Sequence, residues 1–174
     1  KAIKLFKIPI HILGIVVALP LVVFVRFIKP FIHIRFRKII SSELGHFVDD
    51  AGILLCESVL NKSNIKDWYW LTKPISNYQF EKMVKRTFYV RLWVKYLYIA
   101  NNIIPGGKQH TILTPRETQG SRDIKGLLYK TNKLKQAYFK FSIEEELYAK
   151  KYLKDIGLNE KDKFVCLLVR DYKY

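Results

Sequence analysis

The apolar positions of the chain change their spacing several times, and each change predicts an element. Residues 8–25 carry no full charge. At about 1.5 Å of rise per residue, that run just reaches across a hydrocarbon core of about 30 Å. Pro9, His11, Gly14 and Pro20 interrupt it, and Pro20 predicts a kink or a break into two half-helices. A re-entrant or interfacial helix therefore competes with a spanning one. After Pro30 the pattern turns to period two over residues 31–36, predicting a first strand through Ile32, Ile34 and Phe36. Ser41, Ser42 and Glu43 then mark a helix start, with Gly45 and His46 in or beside the strand-to-helix turn. Residues 53–56 read as a second short strand and 68–71 as a third.

Pro74, Ser76 and Asn77 mark a turn, after which Phe80, Met83, Val84 and Phe88 recur at helical spacing, with Lys82, Lys85 and Arg86 opposite them. A further helix is expected over 92–99, ending before Pro105-Gly106-Gly107. The next forty residues are rich in loop formers. Ser142 and Glu145 form a capping box for a helix lined by Leu147, Leu153 and Ile156 and stopped by Gly157. Residues 164–169 are continuously apolar and of strand length, as in a buried parallel strand. Three residues after Asp171 the chain ends. With Lys1 in place of an initiating Met, this predicts an amino-terminal part of a longer protein.

The expected class is α/β, divided into a membrane anchor with basic flanks (1–29), an α/β domain (30–157) and the first strand of a further domain (158–174). A length of 174 residues holds one such domain beside an anchor. Charge sharpens the first of these. The formal net charge is +16, and residues 1–40 contain eight Lys or Arg and no Asp or Glu. More of those cations lie after the apolar run (Arg26, Lys29, Arg35, Arg37, Lys38) than before it (Lys1, Lys4, Lys7), which predicts a cytoplasmic location for the α/β domain. The run lacks the small-residue cleavage site of a signal peptide, and is long for a core helix in so small a domain. Cys56 and Cys166 lie far apart in apolar runs, a spacing that fits neither a metal site nor a disulfide framework.

Candidate chemistry is sparse. Arg170 stands where a parallel strand meets its following loop, the place where open α/β sheets bind ligands, and its guanidinium either grips phosphate or pairs with Asp171. His46 is a candidate general base or a hydrogen-bond partner for a substrate hydroxyl, or else a plain surface histidine. Gly120, Ser121, Arg122 and Asp123 form either an anion site at a helix start or an ordinary cap. Gly106-Gly107-Lys108-Gln109-His110 lacks P-loop spacing and reads as a turn. Trp68, Tyr69 and Trp70 fit a strand core and an interfacial anchor, or a stacking surface.

Several stretches, taken in order, resemble a family of bacterial glycosyltransferase-like proteins associated with surface carbohydrate synthesis. They are Ile34-Arg35-Phe36 leading to Gly45-His46-Phe47, Lys73-Pro74-Ile75-Ser76-Asn77, Ile104-Pro105-Gly106-Gly107 followed by His110, Gly120-Ser121-Arg122-Asp123, and Val165 to Asp171. The resemblance implies a Rossmann-like domain of a two-domain, GT-B-like transferase with its second domain truncated. This half would face a carbohydrate or lipid-linked acceptor, and the missing half would hold a nucleotide-sugar donor. The end at Val169-Arg170-Asp171 is also similar to fucosyltransferase-type enzymes that hold the donor pyrophosphate through a His-x-Arg pattern. Here Leu168 takes the histidine position, so only the arginine role carries over. The resemblance implies Gly45, His46, Gly120, Ser121, Arg122, Arg170 and Asp171 as site residues. It implies anionic membrane lipids as partners and the bacterial inner membrane as the location, with no cofactor beyond the donor and nothing specified about a metal. Two rivals stand beside it. One is a basic binding module without catalysis, built on Lys82, Lys85 and Arg86. The other is a nucleic-acid protein, disfavoured because half the charge flanks the apolar run and the rest of the chain shows no such motif.

Overall fold

The computed structural model describes residues 2–60, 64–112, 139–159, 162, 163 and 165. The chain divides into two compact units, Lys1–Phe139 and Lys140–Tyr174. In the first unit, α1 (Ala2–Phe27) leads into β1 (His33–Ile39), α2 (Leu44–Leu60), β2 (Ile65–Leu71), α3 (Tyr78–Thr87), β3 (Tyr89–Val90), α4 (Val94–Ile103), a 3-10 turn (Gly107–His110) and β4 (Thr111–Ile112). The second unit contributes α5 (Ile143–Asp155).

The four strands are all parallel and lie in the order β3-β2-β1-β4. Winding proceeds outward from β1 through β2 to β3, then returns across the sheet to place β4 on the other side of β1. The reversal makes the crevice outside the carboxyl ends of β1 and β4 a topological switch point.

Alternation along β1 and β2 feeds a core on each face of the sheet. Ile39, Tyr69 and Leu71 point to one face, where they meet Phe47, Ala51, Leu54 and Leu55 of α2 and Val84 of α3. Ile34 and Phe36, with Trp68 and Trp70, point to the other, where α4 supplies Val94, Leu97 and Ala100 and α1 supplies Ala18, Val22 and Val25. The apolar amino-terminal helix is thus a structural layer of the domain. Its inner row recurs at spacings of four and three, the period of one helix face.

Several hydrogen bonds fix α1 in place. Arg26 donates to the side-chain and main-chain oxygens of Asn101 and to the carbonyls of Ile104 and Pro105. These are carbonyls that the carboxyl end of α4 leaves without helical partners, so a single guanidinium caps that helix. Asn101, fully buried, passes the contact on, donating to the Gly107 carbonyl and to Thr111 Oγ1 at the start of β4. A Cβ at Gly107 would fall 2.1 Å from the Asn101 carbonyl oxygen, so the approach of the 3-10 turn to α4 requires glycine there. Farther up α1, His11 Nδ1 lies 2.8 Å from the Tyr96 hydroxyl.

Three expectations are corrected. Residues 53–56 are not a strand but lie inside α2. Phe47, Ala51, Leu54 and Leu55 form its inner stripe, and Ile53 and Cys56 make a small cluster of their own. Helix α1 runs through Pro9 and Pro20 without breaking into halves. Pro20 sits on the exposed side, so its missing N–H leaves the packed face intact. Arg35 and Arg37 are not free cations flanking a membrane segment. They lie on β1 and point to the α2 face, where Arg35 holds Asp67 of β2 bidentately at 2.7 and 2.9 Å. Arg37, 3 % exposed, reaches Glu57 at 2.8 Å and Asp67 at 3.4 Å.

The remaining elements match the pattern. Asn77 caps α3 by accepting from the Phe80 amide, and α4 ends before Pro105. The Ser142–Glu145 capping box is formed in both directions, and Gly157 takes a φ of +90° after α5. The described residues bury none of α5, with Leu147 and Ile156 both exposed. Of the strand expected over 164–169 only Val165 is described, 94 % exposed and in no regular element; Cys166 lies outside the described residues, and Cys56 is buried.

Candidate functional site

The carboxyl ends of β1 and β2 open into two loops that bind each other. Ser41, fully buried, donates its amide to Thr72 Oγ1 at 2.8 Å and its hydroxyl to the Thr72 carbonyl at 2.5 Å. Its own carbonyl accepts from the Ser76 amide at 2.8 Å. Beneath them Asp50, also buried, accepts from the Ile40 amide at 3.4 Å. Small hydroxyl residues suit this position because each satisfies backbone groups that the sheet no longer pairs. The loop that enters α2 is thereby held rigidly at the switch point.

Gly45 and His46 occupy the first turn of α2, at the mouth of that crevice. Gly45 is exposed, and a Cβ there would meet nothing within 4 Å, so packing does not demand glycine. The half-buried His46 ring places Nε2 3.0 Å from a Glu43 carboxylate oxygen. A carboxylate so close orients the imidazole, as a base acting on a hydroxyl requires. Gly45 and His46 are the predicted site residues that the structure brings to the carboxyl end. Gly120, Ser121, Arg122, Arg170 and Asp171 lie outside the described residues.

At the other end of the strands, Arg35, Arg37, Asp67 and Glu57 form a compact ion cluster of two cations and two carboxylates. Tyr69 joins it, its hydroxyl 3.4 Å from Asp67. Burial, and then the Asp67 charge, push the phenol well above its ordinary pKa, so it stays protonated. With its charges mutually balanced inside the domain and remote from the switch point, this cluster braces β1, β2 and α2.

His110, buried beside the start of β1, has Nδ1 2.6 Å from the Ile34 carbonyl and stacks edge-on with His33. Burial holds its imidazole below the ordinary pKa. Trp68 and Trp70 are strand residues facing α1 and α4, and Tyr69 faces α2, so the aromatic triplet belongs to the two cores. Among the described residues, no group of three or more His, Cys, Asp or Glu is arranged to hold a metal ion.

Sequence reasoning missed the contact of Ser41 with Thr72 above Asp50, which ties the loops after β1 and β2 together beside the switch point. Its signal is indirect: hydroxyl residues just after two strands, and an acid inside an apolar helix stripe. No family model, no curated protein and no solved structure matches this chain.

Proposed function

We propose that the chain is the membrane-attached, acceptor-side part of a glycosyltransferase with a Rossmann-like domain of GT-B type, at the cytoplasmic surface of a bacterial inner membrane. The observation that carries the reading is the site's place in the topology. A parallel sheet in the order β3-β2-β1-β4, covered by helices on both faces, brings Gly45 and His46 to its switch point. The ordered stretches that resemble those of carbohydrate-synthesis proteins supply the reaction class of this reading.

In the proposed step, His46 accepts the proton of an acceptor hydroxyl. The hydroxyl oxygen attacks the anomeric carbon of a nucleotide sugar, and the bond to the leaving nucleoside diphosphate breaks. The resemblance further implies Arg170 and Asp171 as donor-side residues, a planar guanidinium fork being suited to diphosphate charge. Gly120, Ser121 and Arg122 would offer further anion contacts. A carbohydrate or lipid-linked acceptor fits a domain that carries its own apolar helix.

The test uses the full-length product of the reading frame, in membranes, with a panel of labelled nucleotide sugars. Transfer or donor binding supports the reading, and neither with any donor defeats it. Given activity, His46→Ala should lower kcat at least a hundredfold with donor affinity little changed. Arg170→Ala should weaken donor binding by about tenfold to a hundredfold, with Arg170→Lys recovering only part. A basic docking module is the second reading, resting on Lys82 and Arg86, which are exposed on the outer face of α3. Their replacement by Ala would abolish polyanion binding only in that case.

A further inference from the structure

Helix α1 is apolar on both sides, and its two sides have different neighbours. The inner row is spent on the domain core. The outer row, including Leu13, Val16, Val17, Val23, Phe24 and Phe27, is 55–78 % exposed. It continues past the helix into Phe31, 74 % exposed. Only 17 % of the window Pro9–Phe27 is buried. An unbroken apolar surface of this length is far larger than the scattered exposed side chains a soluble surface carries.

A spanning helix needs lipid on every side over about 30 Å. Among the described side chains, contact with the domain is already made at His11, and residues 2–10 of α1 before it reach only about 14 Å. Drawing residues 11–26 into hydrocarbon would remove Val22 and Val25 from the core and strip the α4 carbonyls of Arg26. We infer that α1 lies flat in one leaflet of an anionic bilayer, its inner row docked on the domain and its outer row in the acyl chains. The attachment is monotopic.

Charge identifies the occupant. No acidic residue occurs before Glu43, while Lys1, Lys4 and Lys7 precede the row and Lys29 comes after it. Cations at both ends of an apolar strip complement anionic headgroups. They would face like charges if the strip were paired with a second copy in either direction. The inference shares the membrane-attachment part of the proposed function and is independent of sugar transfer.

The experiment uses the full chain with sealed vesicles of phosphatidylethanolamine and phosphatidylglycerol. Environment-sensitive dyes are placed singly at Leu13→Cys, Val17→Cys and Phe24→Cys, with the native cysteines replaced by Ala and folding checked by melting. Depth-dependent quenching by spin-labelled lipids should put all three dyes at one shallow depth. A protease outside the vesicles should remove a tag placed before Lys1. A depth that runs from Phe24 down to the bilayer centre at Leu13, with the tag protected, would overturn the in-plane arrangement while keeping membrane attachment. Failure to float with vesicles, with a concentration-dependent dimer in its place, would overturn both. In unlabelled protein, Val17→Asp with Phe24→Asp should weaken vesicle binding by about a hundredfold or more without moving the melting temperature. Unchanged binding would also reject the inference.

Discussion

The two faces of the sheet are closed in different ways. On one, α2 and α3 put apolar stripes inward, α3 turns Lys82 and Arg86 outward, and Arg35 and Arg37 are neutralised within the layer by Asp67 and Glu57. On the other, α4 shares the work with α1, whose outer side is as apolar as its inner one. A helix that is apolar all round has no polar side to turn to water, and the domain covers only one side of this one. Hydropathy reports the total, and only packing divides it.

The comparison breaks most visibly through the ion cluster. Asp67→Ala leaves Arg35 and Arg37 without their shared carboxylate, and is expected to cost about 3 to 5 kcal/mol in chemical denaturation. A loss below about 1 kcal/mol would show that the cluster is not the brace of the α2 face. On the opposite face, Arg26→Ala removes the bonds that cap α4 and is expected to cost about 2 to 3 kcal/mol. Arg26→Lys should restore little, because a point charge cannot serve three separated carbonyls.

The division within α1 is sharpened by neighbouring positions of the same residue type. Val22→Ala, on the fully buried row, should destabilise by about 1 to 2 kcal/mol. Val23→Ala, on the exposed row, should stay within about 0.5 kcal/mol in detergent. Equal effects would mean that α1 does not dock on α4. The smallest effect concerns His110. Its folded pKa is lowered, so as pH falls below about 6.5 the unfolded chain binds a proton that the folded one refuses. Its contribution is therefore intact above that pH and is lost as pH falls. The denaturation midpoint should depend less on pH between about 7 and 5 in His110→Asn than in the wild-type protein.

The elements with local signals were legible in the sequence. Period two gave β1, the Asn77 turn gave α3, Pro105 ended α4, and Ser142 with Glu145 gave the start of α5. Residues 53–56 were misread because a short apolar run fits a buried strand or a helix packed on two sides equally well. The stripe through Phe47, Ala51, Leu54 and Leu55 was the cue that favoured helix. The pairing of Arg35 and Arg37 with Asp67 and Glu57 had no local signal, since the partners lie far along the chain. Of the candidate site, Gly45 and His46 were visible as a turn after a strand. The Ser41–Thr72 contact was not, because it exists only once two loops are adjacent in space.

Asn101 joins parts that would otherwise be strangers. Arg26 grips it from α1, and it grips Gly107 and Thr111 in turn, so hydrogen bonds run without interruption from α1 to β4. With Gly107 pressed against the Asn101 carbonyl, that joint has no slack to absorb movement. Displacement of α1 is therefore passed through Asn101 to the start of β4, so that the seating of one helix and the placement of an edge strand are set together.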